Sequence, residues 1–76
     1  MEDETFTADF IGRPGDTRDL AAHSIVGQYG GKVIAGGTFL PDQLRDLEIK
    51  VAALYAKPLK EALQKAGLRI RLTPGA

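Results

Sequence analysis

The chain has 76 residues, no cysteine, and ten acidic side chains against ten basic ones. Without cysteine it can form no disulfide framework, thiolate metal site or cysteine nucleophile. A net charge of zero argues against nonspecific nucleic-acid binding, which depends on clustered positive charge. We expect residues 1–76 to form one domain that packs closely or shares surface with a partner, because so short a chain is near the lower limit for folding alone.

The distribution of charge and the start of the chain bear on where the protein acts. Residues 1–19 hold six acids against two bases, whereas residues 41–76 hold seven bases against four acids. No apolar run approaches the roughly 18 residues that a membrane span needs. The start, Met-Glu-Asp-Glu, lacks the basic and then apolar pattern of a signal peptide. We therefore expect a cytoplasmic protein of bacterial or viral character, with no membrane partner.

The first predicted elements are a flexible acidic tail and a strand. Residues 1–4 are expected to form the tail. In residues 5–11 nearly every second side chain is apolar, which is typical of a strand with one buried face. Residues 13–16 read Arg-Pro-Gly-Asp and predict a turn, because proline presets φ and glycine permits positive φ.

Residues 17–29 allow two interpretations. As a helix, the segment has Asp16 as its N-cap, one apolar stripe, and the Gly30-Gly31 pair as its end. As a strand, residues 24–29 would pair with residues 32–38 through a Gly-Gly hairpin turn. We prefer the helix because it accounts for more of the segment.

Two further strands are predicted from short apolar runs. Residues 32–40 are rich in strand-forming side chains, and Gly36-Gly37 indicates a bulge or a close approach within that strand. In residues 68–72 leucine and isoleucine alternate with Arg69 and Arg71, so the arginines should face away from the core.

The longest predicted element is a helix from Pro41 to Gly67, against which the rest of the chain should pack. Proline suits the first helical turn, and glycine suits a helix end. Pro58 lies inside this segment, where it removes a hydrogen bond at a cost of about 3 kcal/mol. We therefore expect a kink, or two helices meeting near residues 56 and 57. Apolar residues at helical spacing define the expected buried stripe: Leu44, Leu47, Val51, Leu54, Tyr55, Leu59, Ala62, Leu63 and Ala66.

These elements predict the order β-α-β-α-β, a small two-layer α/β (α+β) sandwich. The hairpin interpretation of the second segment gives β-β-β-α-β instead. In either case one sheet face or edge would remain available to a partner.

The only histidine, His23, lies four residues after Asp19, one turn along the predicted helix. An Asp–His pair is the minimum for general-base catalysis, which makes these two residues the candidates for chemistry. A solvated histidine on a helix surface is the simpler interpretation, so we expect no catalytic site. No second histidine exists to form a metal site, and the glycine-rich stretch follows a helix instead of preceding one, so no metal, nucleotide or other cofactor is expected.

Four arginines are the predicted partner-binding residues. Arg69 and Arg71 should share one face of the last strand, with Lys57, Lys60 and Lys65 nearby in sequence, and could recognise an anion. Arg13 and Arg18 belong to a charged loop in front of a helix, which could contact a partner. A solvated sheet face and an ordinary turn are the simpler interpretations of the two groups.

Residues 10–40 contain Arg-Pro-Gly-Asp, then Arg18, then His23 on the predicted helix, then Gly-Gly-Lys-Val-Ile-Ala-Gly-Gly-Thr-Phe-Leu. This succession resembles the first half of small dimeric α+β barrel proteins of the YCII-like type, and residues 55–57 and 66–72 resemble their ending. That family has a further strand before its second helix, which the order predicted above lacks. The resemblance implies a ferredoxin-like homodimer with a pocket near His23, and no particular reaction.

We therefore predict a non-catalytic interaction module that binds a larger protein or assembles as a subunit. The first alternative is a homodimeric α+β barrel that binds or processes a small molecule near His23. The second is nucleic-acid binding through the basic C-terminal third of the chain, which the neutral net charge makes weaker.

Overall fold

Within residues 2–12, 15–39 and 43–72, which the computed structural model describes, the chain forms four strands and two helices. The strands make one antiparallel sheet with the order β2-β3-β1-β4. The protein is thus α+β, and its element order is that of the ferredoxin-like split βαβ arrangement. The elements are β1 (Asp3–Ile11), α1 (Thr17–Gln28), β2 (Lys32–Phe39), β3 (Leu44–Ala52), α2 (Ala53–Lys65) and β4 (Arg69–Leu72).

One face of the sheet is buried under both helices. Because side chains alternate along a strand, the apolar residues of β1 and β3 point to the same side and meet the buried residues of α1 and α2. Burying each large apolar side chain contributes roughly 1.5–3 kcal/mol. Within the described residues no helix covers the opposite side, which we call the open face. The core comprises Phe6, Ala8, Phe10, Ala22, Val26, Leu47, Ile49, Val51, Ala56, Leu59, Leu63 and Leu68.

The prediction of one helix from Pro41 to Gly67 is wrong in its first half, where the chain forms β3. Leucines and valine at steps of three and four suggested a helix, but Leu47, Ile49 and Val51 also alternate with charged residues. The strand pattern prevails because β3 lies between β1 and β2, so it pairs with a strand on each side. The sheet therefore has four strands, and the predicted order β-α-β-α-β lacked one.

The second half of that prediction is confirmed as α2, which is one helix of 13 residues. The chain does not divide into two helices near residues 56 and 57. Pro58 is only the sixth residue of α2, so the carbonyl that it leaves without a partner, that of Leu54, lies in the exposed first turn. Leu54 and Tyr55, expected on the buried stripe, are exposed, because the stripe was extrapolated from a segment that is a strand. Pro41 lies outside the described residues.

The helical interpretation of residues 17–29 is confirmed, and the hairpin alternative is wrong. Gly30 has φ +72°, its N–H donates to the carbonyl of Gly27, and the N–H of Gly31 donates to that of Val26. These two bonds make a Schellman C-cap, which ends the helix as predicted. Asp16 is the N-cap residue, but its side chain makes no capping bond.

The remaining strands lie where the sequence predicts them, with small differences at their ends. β1 begins at Asp3, inside the segment expected to be a tail, and the carbonyl of Glu2 accepts a hydrogen bond from the N–H of Ala53. In β2 the bulge lies between Val33 and Ala35, not at Gly36-Gly37. A Cβ on Gly37 would lie 2.9 Å from an Asp46 carboxylate oxygen, so that glycine reflects a close approach.

Neither helix of the described residues has the length and apolar character needed to cross a bilayer.

Candidate functional site

A buried carboxylate on the open face holds two arginines of the edge strand. Asp9 is 2% exposed and lies directly opposite Arg69, while Arg71 lies opposite Thr7. Nε of Arg69 donates to Oδ1 of Asp9 at 3.2 Å, and Nε of Arg71 forms an ion pair with Oδ2. One carboxylate therefore contacts both guanidinium groups, through a hydrogen bond to Arg69 and an ion pair with Arg71. Residues 69 and 71 face away from the core, as the alternation predicts.

The two guanidinium groups remain accessible while their Nε atoms are held. The Arg69 side chain is 73% exposed and that of Arg71 is 49% exposed. A guanidinium carries five N–H donors, and apart from Nε those of Arg69 and Arg71 make no hydrogen bond to a described residue, so they can bind an acceptor. Two positive charges share one carboxylate, which leaves an excess positive charge along β4.

Acidic side chains occupy the centre of the open face. Asp46 lies directly opposite Asp9 on β3, and Glu48 lies opposite Thr7. Further along the strands, Lys50 Nζ is 3.6 Å from Asp3 Oδ2. The open face is therefore positive at its β4 edge and negative in the middle, so a partner must match a pattern of charge.

A second buried carboxylate ties the start of α1 to the sheet. Asp19 Oδ2 accepts a hydrogen bond from the N–H of Gly15 at 2.9 Å, and Oδ1 accepts one from Arg45 Nε at 3.3 Å. Arg45 also donates to the carbonyl of Gly37 at 3.4 Å, which adds β2 to the same cluster.

Burial by itself would raise the pKa of Asp19. The hydrogen bond from Gly15 and the nearby Arg45 guanidinium outweigh it, so the pKa of Asp19 is lowered. His23 Nε2 lies 3.6 Å from Asp19 Oδ1, and its side chain is 46% exposed. The predicted Asp–His pair therefore exists, but Asp19 binds mainly to the backbone and to Arg45. Through these contacts Asp19 anchors the start of α1 to the sheet.

The basic residues of the C-terminal third do not share one surface. The arginines of β4 lie on the open face, whereas Lys57, Lys60 and Lys65 belong to α2, which packs on the other face. Lys60 forms an ion pair with Glu4 and lies 5.3 Å from the centre of the Phe6 ring. These lysines are near the arginines in sequence, but the sheet separates the two groups in the structure.

Of the remaining predicted binding residues, Arg18 lies on α1, and its Nε is 3.9 Å from the point where a Cβ on Gly67 would stand. Arg13 lies outside the described residues. Sequence reasoning missed Asp9 and Arg45. The polar position of Asp9 in an alternating strand was visible, but its partners follow only from the pairing of β1 with β4.

In the part of the chain that the structure describes, no group of three or more histidine, aspartate and glutamate side chains could hold a metal ion. Comparisons with models of protein families, with curated proteins and with solved structures find no match to this chain.

Proposed function

We propose that the chain is a non-catalytic interaction module that binds an acidic protein surface with the Arg69 and Arg71 edge of its open face. The observation that supports the proposal is the buried carboxylate of Asp9, which accepts a hydrogen bond from Arg69 and forms an ion pair with Arg71. Arginine is suited to this role because its planar fork of donors matches a carboxylate.

Prior ordering of the two side chains favours binding. A free arginine loses rotamer freedom when it binds a partner, and each immobilised side chain costs about 0.5–1.5 kcal/mol. Asp9 restricts part of that freedom before the partner arrives. The acidic middle of the open face, with Asp46 and Glu48, restricts binding of an acidic group to the β4 edge and favours a partner that also carries a matching basic patch.

The test is a fluorescence-anisotropy titration of a labelled octaglutamate peptide at low salt. The double variant Arg69→Ala/Arg71→Ala should bind it at least tenfold more weakly, which corresponds to about 1.4 kcal/mol. The matched control is Lys57→Ala/Lys65→Ala, which removes the same charge from exposed positions of α2. Equal losses in the two double variants would show that only net charge matters, and would overturn the proposal.

A nucleic-acid partner is tested in the same titration. A labelled single-stranded oligonucleotide that binds more tightly than octaglutamate, and whose affinity falls steeply with salt, would favour that alternative. The structure gives it less support than the sequence did, since the lysines of α2 and the arginines of β4 lie on opposite sides of the sheet.

A second candidate is the homodimeric α+β barrel with a small-molecule site near His23. The observation in its favour is β3, which supplies the strand before the second helix that the YCII-like resemblance requires. It predicts that two open faces pack together, so light scattering across a dilution series should give twice the chain mass. A monomer at all concentrations would contradict it.

A further inference from the structure

A groove of about 260 Å³ lies where β1 continues beyond the start of β4. Its walls include the exposed side chain of Ile11, together with Phe10 and Leu44, and two cationic side chains, Arg18 and Arg69. The volume is below the 300–1,000 Å³ of pockets for drug-sized ligands, so the groove suits a group of one or two residues.

The backbone of β1 is available in this groove. The N–H of Gly12 donates to the carbonyl of Gln43, which fixes the phase of the alternating hydrogen bonds between β1 and β3. By that alternation the N–H and C=O of Ile11 point the other way, towards the side of β4. The register that pairs Asp9 with Arg69 would place Gly67 opposite Ile11. Gly67 instead closes α2 by donating to Gln64, so it does not extend the ladder to Ile11.

Two arginines flank this unpaired stretch. Arg18 approaches from α1 and forms no ion pair with any described residue. Arg69 enters from β4, held through its Nε by Asp9, whose charge Arg71 also shares. The groove therefore combines excess positive charge, an apolar wall, and the backbone N–H and C=O of Ile11, which the ladder to β4 does not reach within the described residues.

We infer that this groove binds the C-terminal residue of an extended protein segment. Its carboxylate would pair with Arg18 and Arg69, its backbone N–H would donate to the carbonyl of Ile11, and its apolar side chain would cover Ile11 and Leu44. Strand addition and capture of a terminal carboxylate are established ways of recognising peptides. The inference rests on the proposed function in taking the partner to be a protein, and it names the part of that partner which is bound.

The experiment is an NMR titration of the ¹⁵N-labelled chain with N-acetyl-Ala-Ala-Leu. The free-acid peptide should shift the amide signals of Ile11, Gly12 and Gly67. The same peptide with an amidated C-terminus should bind at least tenfold more weakly, because it lacks the charge. The third probe, 4-methylpentanoate, keeps the carboxylate and leucine-like tail without a peptide backbone, and it should bind at least fivefold more weakly. Equal binding of the acid and the amide, or of the peptide and 4-methylpentanoate, would overturn the inference.

Variants separate this site from the proposed interaction surface. Arg18→Gln should weaken binding of the free-acid peptide about tenfold, whereas Lys57→Gln, which removes an exposed charge from α2, should leave it within twofold. Arg18 is exposed on the surface of α1, so its replacement should not unfold the chain. A peptide affinity that is unaffected by Arg18→Gln would overturn the inference. The peptide could bind as expected while Arg69→Ala/Arg71→Ala leaves the affinity for octaglutamate unchanged. In that case the proposed function fails and the terminal-residue site stands.

Discussion

Asp9 on β1 lies directly opposite Asp46 on β3, so two carboxylates face each other across neighbouring strands of the open face. Like charges in this position destabilise a sheet. The compensation for Asp9 comes from its other side, where Arg69 and Arg71 of β4 both reach it. We therefore expect the two carboxylates to have opposite effects on stability, although they are paired in the sheet.

Replacing Asp9 with asparagine should lower the free energy of unfolding by about 1.5–3 kcal/mol, since two guanidinium groups lose their charged acceptor. Replacing Asp46 with asparagine should raise it by about 0.2–1 kcal/mol, since the repulsion across the strands disappears. Urea unfolding at neutral pH measures both values, and each variant is the matched control for the other. A stability of Asp9→Asn equal to that of the wild type would show that the arginine contacts contribute nothing to the fold.

The Asp19 carboxylate predicts a dependence of stability on pH. Its pKa is lowered in the folded chain, so its ionised form stabilises the native state. That contribution is complete above the unfolded-state pKa of about 3.9 and is lost as the pH falls through the lower folded value. As the pH falls below about 4, the wild type should lose more stability than Asp19→Asn.

The measurement for Asp19 is a series of urea midpoints across that acid range. At neutral pH, Asp19→Asn should be less stable than the wild type by about 1.5–3 kcal/mol, the usual effect of a hydrogen bond to a charged group. Asp16→Asn is the matched control in the same turn, because its side chain makes no capping bond, and it should stay within about 0.5 kcal/mol. Parallel pH profiles for the wild type and Asp19→Asn would contradict the assignment.

Local patterns in the sequence were sufficient to predict the elements that depend only on neighbouring residues. Period-two alternation predicted β1 and the outward direction of Arg69 and Arg71. The helix stops at Gly30 and Gly67 were predicted from their freedom to adopt positive φ, which both have. β3 was missed because its apolar residues fit both periods, and only its place between β1 and β2 decides between them.

The candidate sites depend on contacts between distant parts of the chain. His23 and Asp19 were paired correctly because they are one helical turn apart. The main side-chain partner of Asp19, Arg45, is 26 residues away, within the segment that was predicted to be one long helix. Asp9 and Arg69 are 60 residues apart, and their contact follows from the register of β1 with β4. No local pattern contains that register.

Alanine substitutions at Gly27, within α1, and at Gly30, in its C-cap, should change the stability of the fold in opposite directions. A Cβ has open space at both Gly27 and Gly30, so packing does not distinguish them. Gly30 has φ +72°, and an alanine there should destabilise the fold by about 1–2 kcal/mol. Gly27 lies within the helix, and an alanine there should stabilise it by about 0.5–1 kcal/mol. Thermal unfolding of the two variants checks the prediction, and changes of the same sign would contradict it.

Pro58 is a further position where a single substitution should stabilise the chain. An alanine at this site restores an N–H that can donate to the carbonyl of Leu54, which strengthens the first turns of α2. Removing proline also gives the unfolded chain more freedom, at a cost of about 0.4–1 kcal/mol. Because the lost bond lies close to the helix start, we expect a net gain of about 1 kcal/mol, less than the roughly 3 kcal/mol of a helix interior.

Lys57→Ala, at the adjacent exposed position, controls for helix propensity. A loss of stability in Pro58→Ala would show that the Leu54 carbonyl is already satisfied and that the proline acts mainly by restricting the unfolded chain.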